Sequence, residues 1–198
     1  MMGEVVLATK NKGKVEEFTS LLRGMFQKII PLRDLDSAPD IIEDGSTFRE
    51  NVLKKARFIS EFTQKLTLAD DSGLEVEALG GRPGIFSSRY DGESARDKDN
   101  INKLLRKLSG LSNRKGRFIC TLALVYPGGK EIVVEGTCEG IIIDEPRGEG
   151  GFGYDPVFFI PEMNKTFAEL SSEEKNQISH RARAVKALIN RINGQEIL

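Results

Sequence analysis

Leu66-Thr67-Leu68-Ala69-Asp70-Asp71-Ser72-Gly73-Leu74 is the stretch on which the reading of the fold turns. A short apolar run, readable as a buried strand, meets two adjacent carboxylates, a hydroxyl and a glycine. Asp, Ser and Gly are ordinary turn residues, so the strand is expected to end at a turn over Asp70–Gly73 and to resume as a short strand over Leu74–Val76. Open α/β sheets bind ligands at the carboxyl ends of their strands. Neighbouring acids repel each other, and placing two beside a buried strand makes chemical sense if a cation or a proton-transfer task awaits them.

Upstream, Glu4-Val5-Val6-Leu7-Ala8 reads as a first, nearly all-apolar strand. It runs into Thr9-Lys10-Asn11-Lys12-Gly13-Lys14 and then a helix with Val15, Phe18, Leu21, Leu22 and Met25 at helical spacing. Strand, polar loop and helix in that order aim backbone N–H groups at an anion, and phosphate is the natural guest. Lysines at a helix start oppose the macrodipole unless an anion compensates. The Walker A spacing occurs nowhere in the chain. A strand near Phe26–Pro31 leads to a loop through Asp34, Asp36 and Pro39. Thr47 and Glu50 then read as a capping box for a helix whose Phe48, Val52, Ala56 and Ile59 form one apolar stripe. That box occupies Glu50 and leaves Glu43 as a carboxylate without a structural task. Lys54 and Lys55 lie on adjacent helix faces, so only one of them can point at a site.

Downstream, Gly80–Gly84 holds too many breakers for regular structure. Ser94 and Asp97 suggest a second capping box, starting a helix with Ile101, Leu104, Leu105 and Leu108 inward. Arg114-Lys115-Gly116-Arg117 reads as a solvated basic cluster. Phe118–Tyr126 and Glu131–Ile143 read as long antiparallel strands joined by a two-residue hairpin loop in Pro127–Lys130. Cys120 and Cys138 then fall on opposite faces and are expected to be buried as small apolar residues rather than bridged. Gly148–Gly153 matches G-x-G-x-x-G as a bare pattern, but the strand Val157–Ile160 follows where a dinucleotide fingerprint must open a helix. Its glycines instead allow close backbone approach to a ligand, with Phe152 and Tyr154 able to offer an aromatic face. A last helix, led by Ser179-His180-Arg181, has an apolar face of Ala182, Val185, Leu188, Ile189 and Ile192. Lys175, His180 and Arg181 are three donors suited to a purine carbonyl edge.

The 198 residues, 39% hydrophobic, suffice for one domain, taken as 1–198, with a proper core. A net charge of −1 favours neither nucleic acid nor an anionic membrane, so an anion site must be local. No stretch approaches the roughly 20 apolar residues that span a bilayer. The N-terminal Met1–Val5 lacks the pattern of a signal peptide, so a cytoplasmic protein is expected.

Six motifs in order resemble the inosine triphosphate pyrophosphatase family: Leu7–Lys14 (LATKNKGK), Glu43–Asn51 (EDGSTFREN), Ala69–Gly73 (ADDSG), Gly80–Gly84 (GGRPG), Gly150–Pro156 (GGFGYDP) and Ser179–Arg181 (SHR). The resemblance implies hydrolysis of ITP, dITP and XTP to the monophosphate and pyrophosphate, with Mg²⁺ as cofactor. Thr9, Lys10, Asn11, Lys12, Gly13 and Lys14 would hold the triphosphate, with Lys55 and Ser72 beside it. Glu43 and Asp71 would carry the metal, Asp71 also accepting the proton of the attacking water. An aspartate near a metal has a depressed pKa, which makes it a poor base by itself. Phe152 would stack on the base, Gly153, Tyr154 and Asp155 would shape the wall, and Lys175, His180 and Arg181 would read the base edge. Lys10 departs from the small residue or Asn common in that family. The implied fold is α/β, a long twisted mixed β-sheet with flanking helices, in two lobes around a central nucleotide-binding cleft. A homodimer is also implied.

Three rivals compete with this reading. A non-catalytic purine-nucleotide-binding regulator would have no need of so much negative charge near phosphates. A nicotinamide-dependent oxidoreductase is disfavoured by the strand after the glycine run. A nucleic-acid module is disfavoured by the balanced charge.

Overall fold

Strands with apolar residues on both faces belong inside a sheet covered on both sides, and the computed structural model, which describes residues 2–35 and 41–194, places them so. The elements in order are β1 (Met2–Leu7), α1 (Lys12–Leu21), β2 (Phe26–Pro31), α2 (Phe48–Thr63), β3 (Thr67–Val76), β4 (Arg82–Pro83), α3 (Asp97–Leu108), β5 (Lys115–Val125), β6 (Glu131–Ile142), β7 (Phe158–Ile160), β8 (Lys165–Thr166), α4 (Ser172–Ile178) and α5 (His180–Ile192), with short 3₁₀ turns between several of them. The strands form one mixed sheet of order β2-β1-β3-β5-β6-β7-β8, with β4 paired to β3. β1 runs parallel to both β2 and β3, whereas β4 on β3, β7 on β6 and β8 on β7 are antiparallel. This is the mixed α/β sheet with flanking helices expected from the sequence. Asp36 and Pro39 of the expected loop lie outside the described residues; Asp34 ends a 3₁₀ turn.

The chain divides into two compact units, one of residues 1–71, 120–136 and 181–198, the other of 72–119 and 137–180. In the first unit, alternation along the strands sorts side chains into two cores, because successive residues of a strand point to opposite faces. Val5, Leu7, Leu68, Cys120, Leu122 and Leu124 pack with Val15 and Phe18 of α1 and Val185 and Leu188 of α5. The intervening Val6, Ala8, Ala69, Ala123 and Val125 pack with Val52, Ala56 and Ile59 of α2. The second unit has one core, in which Leu74, Val76, Phe118, Cys138, Phe158 and Phe167 meet Ile101, Leu104 and Leu108 of α3. Both cysteines are buried in these clusters, as expected.

Several local expectations need correction. Asp70–Gly73 is not a turn: β3 runs unbroken through all four residues, so the two carboxylates sit mid-strand. Local turn propensity is overridden there by pairing and by the cations described below. Arg82–Pro83 forms a two-residue strand within the glycine-rich loop. α1 stops at Leu21, before Met25, at a turn where Gly24 has φ +81°. The N-cap of α3 is Arg96, and Asp99, not Asp97, accepts its backbone N–H at 3.0 Å. The β5–β6 hairpin closes with Tyr126 N–H donating to Lys130 O, a three-residue loop rather than two. Arg114 is structural rather than solvated, its guanidinium donating to the carbonyls of Ile142 and Leu108, both at 2.9 Å. Ile189 of α5 is exposed.

Candidate active site

Mid-strand placement puts Asp70 and Asp71 on opposite faces of the sheet. Asp70 shares its face with Leu68, hence with α1 and α5; Asp71 shares its face with Ala69, hence with α2. Each helix answers with a cation. From α1, the Lys14 ammonium lies 2.7 Å from Asp70, whose side chain is fully buried. From α2, Lys55, also buried, pairs with Glu43. Lys54, one residue earlier, is half exposed and pairs with Asp44 at 2.5 Å. Thus Lys55 is the inward lysine of the pair and Lys54 the outward one.

The two aspartates differ electrostatically. Burial by itself would raise the pKa of Asp70, but the charges of Lys14, Lys55 and Arg181 outweigh it and hold the carboxyl at about 2. For Asp71, burial wins. Lys55 and Lys14 pull its pKa down, Glu43 and Asp70 push it up, and the result is about 6. With no cation present this is a better base than an ordinary aspartate, in contrast to the depressed value expected beside a metal. Lys55 is desolvated, yet the charges of Asp70, Glu43 and Asp71 keep its pKa above the ordinary value.

The loop from β1 to α1 is ordered by its own side chains. Asn11 caps α1 by accepting from the Lys14 N–H at 3.0 Å, and the Thr9 hydroxyl accepts from the Asn11 N–H at 3.3 Å. Lys10 and Lys12 are exposed, while Lys14 is turned inward to Asp70. Arg181, at the start of α5, is buried and donates to Glu17 of α1 at 2.7 Å.

In the second unit, the glycine run is tethered to buried groups. The Asp155 carboxylate accepts from the Phe152 N–H at 3.0 Å and from Lys175 Nζ at 2.5 Å. That ammonium stands 5.3 Å from the Phe152 ring centroid. A Cβ on Gly151, which has φ +72°, would lie 2.1 Å from an Asp155 oxygen. The Gly153 N–H donates to Asp97 at 2.7 Å. Phe152 is half-buried, whereas Tyr154 is a core residue whose hydroxyl donates to the Ser87 carbonyl at 2.9 Å; burial raises its pKa. His180 is buried and stacks on Phe118, with centroids 4.7 Å apart and planes 12° from parallel. Of the three expected base-edge donors, Lys175 binds Asp155, His180 lies in an aromatic stack, and Arg181 reaches Glu17.

Ser72 follows Asp71 on β3 and is half-buried. Two residues that matter to this geometry, Glu17 and Asn51, were given no role by the sequence reading, and a third, Asp97, was read as a helix cap. Glu17 stands three residues after Lys14, and Asn51 four before Lys55, so helical spacing alone puts each on the same face as its lysine.

Metal chemistry is compatible with the residues around Asp71. Its Oδ2 is buried with no hydrogen-bond partner among the described residues, and the charge of Glu43 acts on it. Among the described residues no three His, Cys, Asp or Glu side chains are gathered to hold an ion. Two carboxylates suit Mg²⁺, which keeps several waters and takes further oxygens from substrate phosphates.

Two carboxylates on an interior strand of an α/β sheet, with lysines reaching them from helices and a strand–loop–helix element of the kind that suits anions on the neighbouring strand, are what a phosphate-handling α/β protein requires. Residues 5–191 match the model of the Ham1 family, and the chain belongs to that family. The dITP/XTP pyrophosphatase of Geobacillus kaustophilus is 54% identical over 189 residues, covering 94% of this chain and 93% of its own. That of Shouchella clausii is 50% identical over 195 residues, covering 98% of both. Among solved structures, the Ham1 protein of Staphylococcus aureus superposes with a TM-score of 0.86 at 42% identity, over 98% of this chain and 100% of that one. The nucleoside-triphosphatase / dITP/XTP pyrophosphatase of Mycobacterium abscessus does so with a TM-score of 0.75 at 39% identity, over 94% and 98%.

Proposed function

We propose that this protein hydrolyses the non-standard purine nucleoside triphosphates ITP, dITP and XTP to the monophosphate and pyrophosphate. The observation that carries the reading is the buried Asp70–Asp71 pair with lysines on both faces, in a chain half identical over nearly its whole length to proteins named dITP/XTP pyrophosphatases. A protein that only bound the nucleotide would gain nothing from buried carboxylates near phosphates, so the regulator reading is not favoured.

In the reaction a water oxygen bonds to phosphorus, the bridging anhydride P–O bond breaks, and the water's proton passes to a base. Asp71 is that base: its carboxylate is buried and has an oxygen with no hydrogen-bond partner among the described residues, and because a bound cation lowers its pKa it orients the water as well as taking the proton. Thr9, Asn11, Gly13 and the lysines Lys10, Lys12 and Lys14 bind the triphosphate, with Lys55 and Ser72 beside it, and the lysines stabilise the leaving pyrophosphate. Glu43 and Asp71 would hold Mg²⁺, which supplies charge neutralisation on the phosphate oxygens. Phe152 stacks on the purine, Gly153, Tyr154 and Asp155 support it, and Lys175, His180 and Arg181 favour a 6-carbonyl over the 6-amino group of adenine. A site built of donors leaves adenine mispaired, a discrimination worth up to roughly 10⁴-fold. The enzyme acts as a cytoplasmic homodimer in this reading.

Pyrophosphate release from inosine, xanthosine, adenosine and guanosine triphosphates, with Mg²⁺ and with chelator, tests the reading. Mg²⁺-dependent release from the first two alone is the expected result. Equal release from all four refutes the donor roles of Lys175, His180 and Arg181. No release with binding retained refutes catalysis. Light scattering tests the dimer, and a monomer overturns it.

A further inference from the structure

The segment Glu43–Ser46 has no strand or helix of its own, yet one of its residues is the proposed metal ligand Glu43. Four successive residues of it are held by α2 in reverse order. Glu43 pairs with Lys55, Asp44 with Lys54, the Gly45 N–H donates to Asn51 Oδ1 at 2.8 Å, and the Ser46 N–H and hydroxyl donate to Glu50, both at 2.7 Å. The Glu50 carboxylate thereby serves Ser46 ahead of the N-cap Thr47, whose hydroxyl accepts from the Glu50 N–H at 3.1 Å as expected.

These four attachments are not equivalent. The Lys54 and Glu50 contacts are exposed to water, and exposed pairs hold little. Lys55 pairs with the Glu43 carboxylate itself, so it offers that group a charge partner without fixing the backbone that bears it. Asn51 is different: it is 1% exposed, and it grips the backbone two residues from Glu43. The fit there is close, because a Cβ on Gly45 would lie 2.7 Å from Asn51 Oδ1 and 2.9 Å from the Glu50 Cβ. Asn51 Nδ2 has no hydrogen-bond partner among the described residues. Burying that donor costs stability, which is a poor trade for a residue whose only task is to hold the fold.

We infer that Asn51 is a positioning residue for the metal centre: its side-chain carbonyl locks Gly45, and through it sets the reach of Glu43 toward the cation shared with Asp71. Gly45 is glycine because any side chain there displaces the Asn51 carbonyl. The inference rests on the proposed function, in which Glu43 is a metal ligand. Partners that orient metal ligands typically contribute 10–100-fold to metal affinity or activity.

The test measures binding of the non-hydrolysable analogue α,β-imido inosine triphosphate by calorimetry across a Mg²⁺ titration, in the wild type, Asn51→Ala and Gly45→Ala. In both variants the Mg²⁺ concentration for half-maximal binding should rise about tenfold. Nucleotide binding in chelator should be unchanged, and kcat at saturating Mg²⁺ should be largely recovered. A merely structural role for Asn51 would lower binding with and without the metal alike. Should Asn51→Ala fail to fold, Gly45→Ala decides the matter, since it alters a partly exposed coil residue outside the core. A folded variant with the wild-type Mg²⁺ requirement overturns the inference. A wild type whose nucleotide binding is indifferent to Mg²⁺ refutes the metal role of Glu43 and the inference with it.

Discussion

Replacing Asp71 with Asn should destroy activity and, in the absence of divalent cation, make the protein more stable. The substitution keeps the shape of the side chain and removes a charge that burial opposes. Burial raises the Asp71 pKa to about 6 in the fold, against the ordinary 3.8 of an aspartate. A carboxyl whose folded pKa is raised lowers stability as pH climbs from the unfolded pKa through the folded one, because the unfolded chain releases its proton first. The penalty is absent below about pH 4, grows up to about pH 6 and is constant above it. Two pH units correspond to about 3 kcal/mol, or roughly 6–12 °C in Tm for a domain of this size. The assay is urea or thermal unfolding of wild type and Asp71→Asn in chelator from pH 4 to 8. The variant should gain stability progressively from pH 4, reach a plateau above pH 6, and lose part of its advantage when Mg²⁺ is added to both proteins. Equal stability at pH 8 in chelator, or a gain that does not change with pH, would refute the argument that burial of the Asp71 charge opposes folding.

The neighbouring residue should do the reverse. Asp70 is held at about 2 by Lys14, Lys55 and Arg181, so Asp70→Asn should cost about 2 kcal/mol at neutral pH; the loss should shrink as pH falls from about 4 to 2 and is read from the same unfolding curves. Lys175→Met strands the buried Asp155 carboxylate, and breaking such a pair costs about 3–5 kcal/mol; a smaller loss in urea unfolding means that Asp155 finds another partner. Gly151→Ala drives a Cβ against the Asp155 oxygen that accepts from the Phe152 N–H, so the KM for ITP should rise while kcat at saturation holds. An unchanged KM would separate the tethering of this loop from recognition of the base.

Elements whose side chains repeat at a fixed period were legible in the sequence, because the period itself reports the buried face. Val15 and Phe18 of α1, Val52, Ala56 and Ile59 of α2, and Ile101, Leu104 and Leu108 of α3 all point inward as read. Boundaries set by single hydrogen bonds were less so. Asp99 competes with Asp97 to cap α3 and wins, freeing Asp97 to accept from Gly153, a residue 56 positions away. Arg114 offers the same lesson: a basic run reads as solvated until the carbonyls of Leu108 and Ile142 are brought to it.

The misreading of Asp70–Gly73 shows where local chemistry stops being informative. Four turn-forming residues in a row argue against a strand, and a strand with two mid-length carboxylates would be untenable by itself, since each charge must be compensated once buried. Compensation arrives from Lys14, 56 residues before Asp70, and from Lys55, on the opposite face beside Asp71. Both lysines were visible in the sequence, but that Lys14 pairs directly with Asp70 while Lys55 pairs with Glu43 and acts on both aspartates follows only from the setting of β3 between α1 and α2. The alternation of β3 supports the proposed assignment with an argument besides analogy. Asp70 is the carboxylate whose charge Lys14 meets directly, at 2.7 Å, and Asp71, raised to about 6 by burial, is the one this reading assigns to the chemistry.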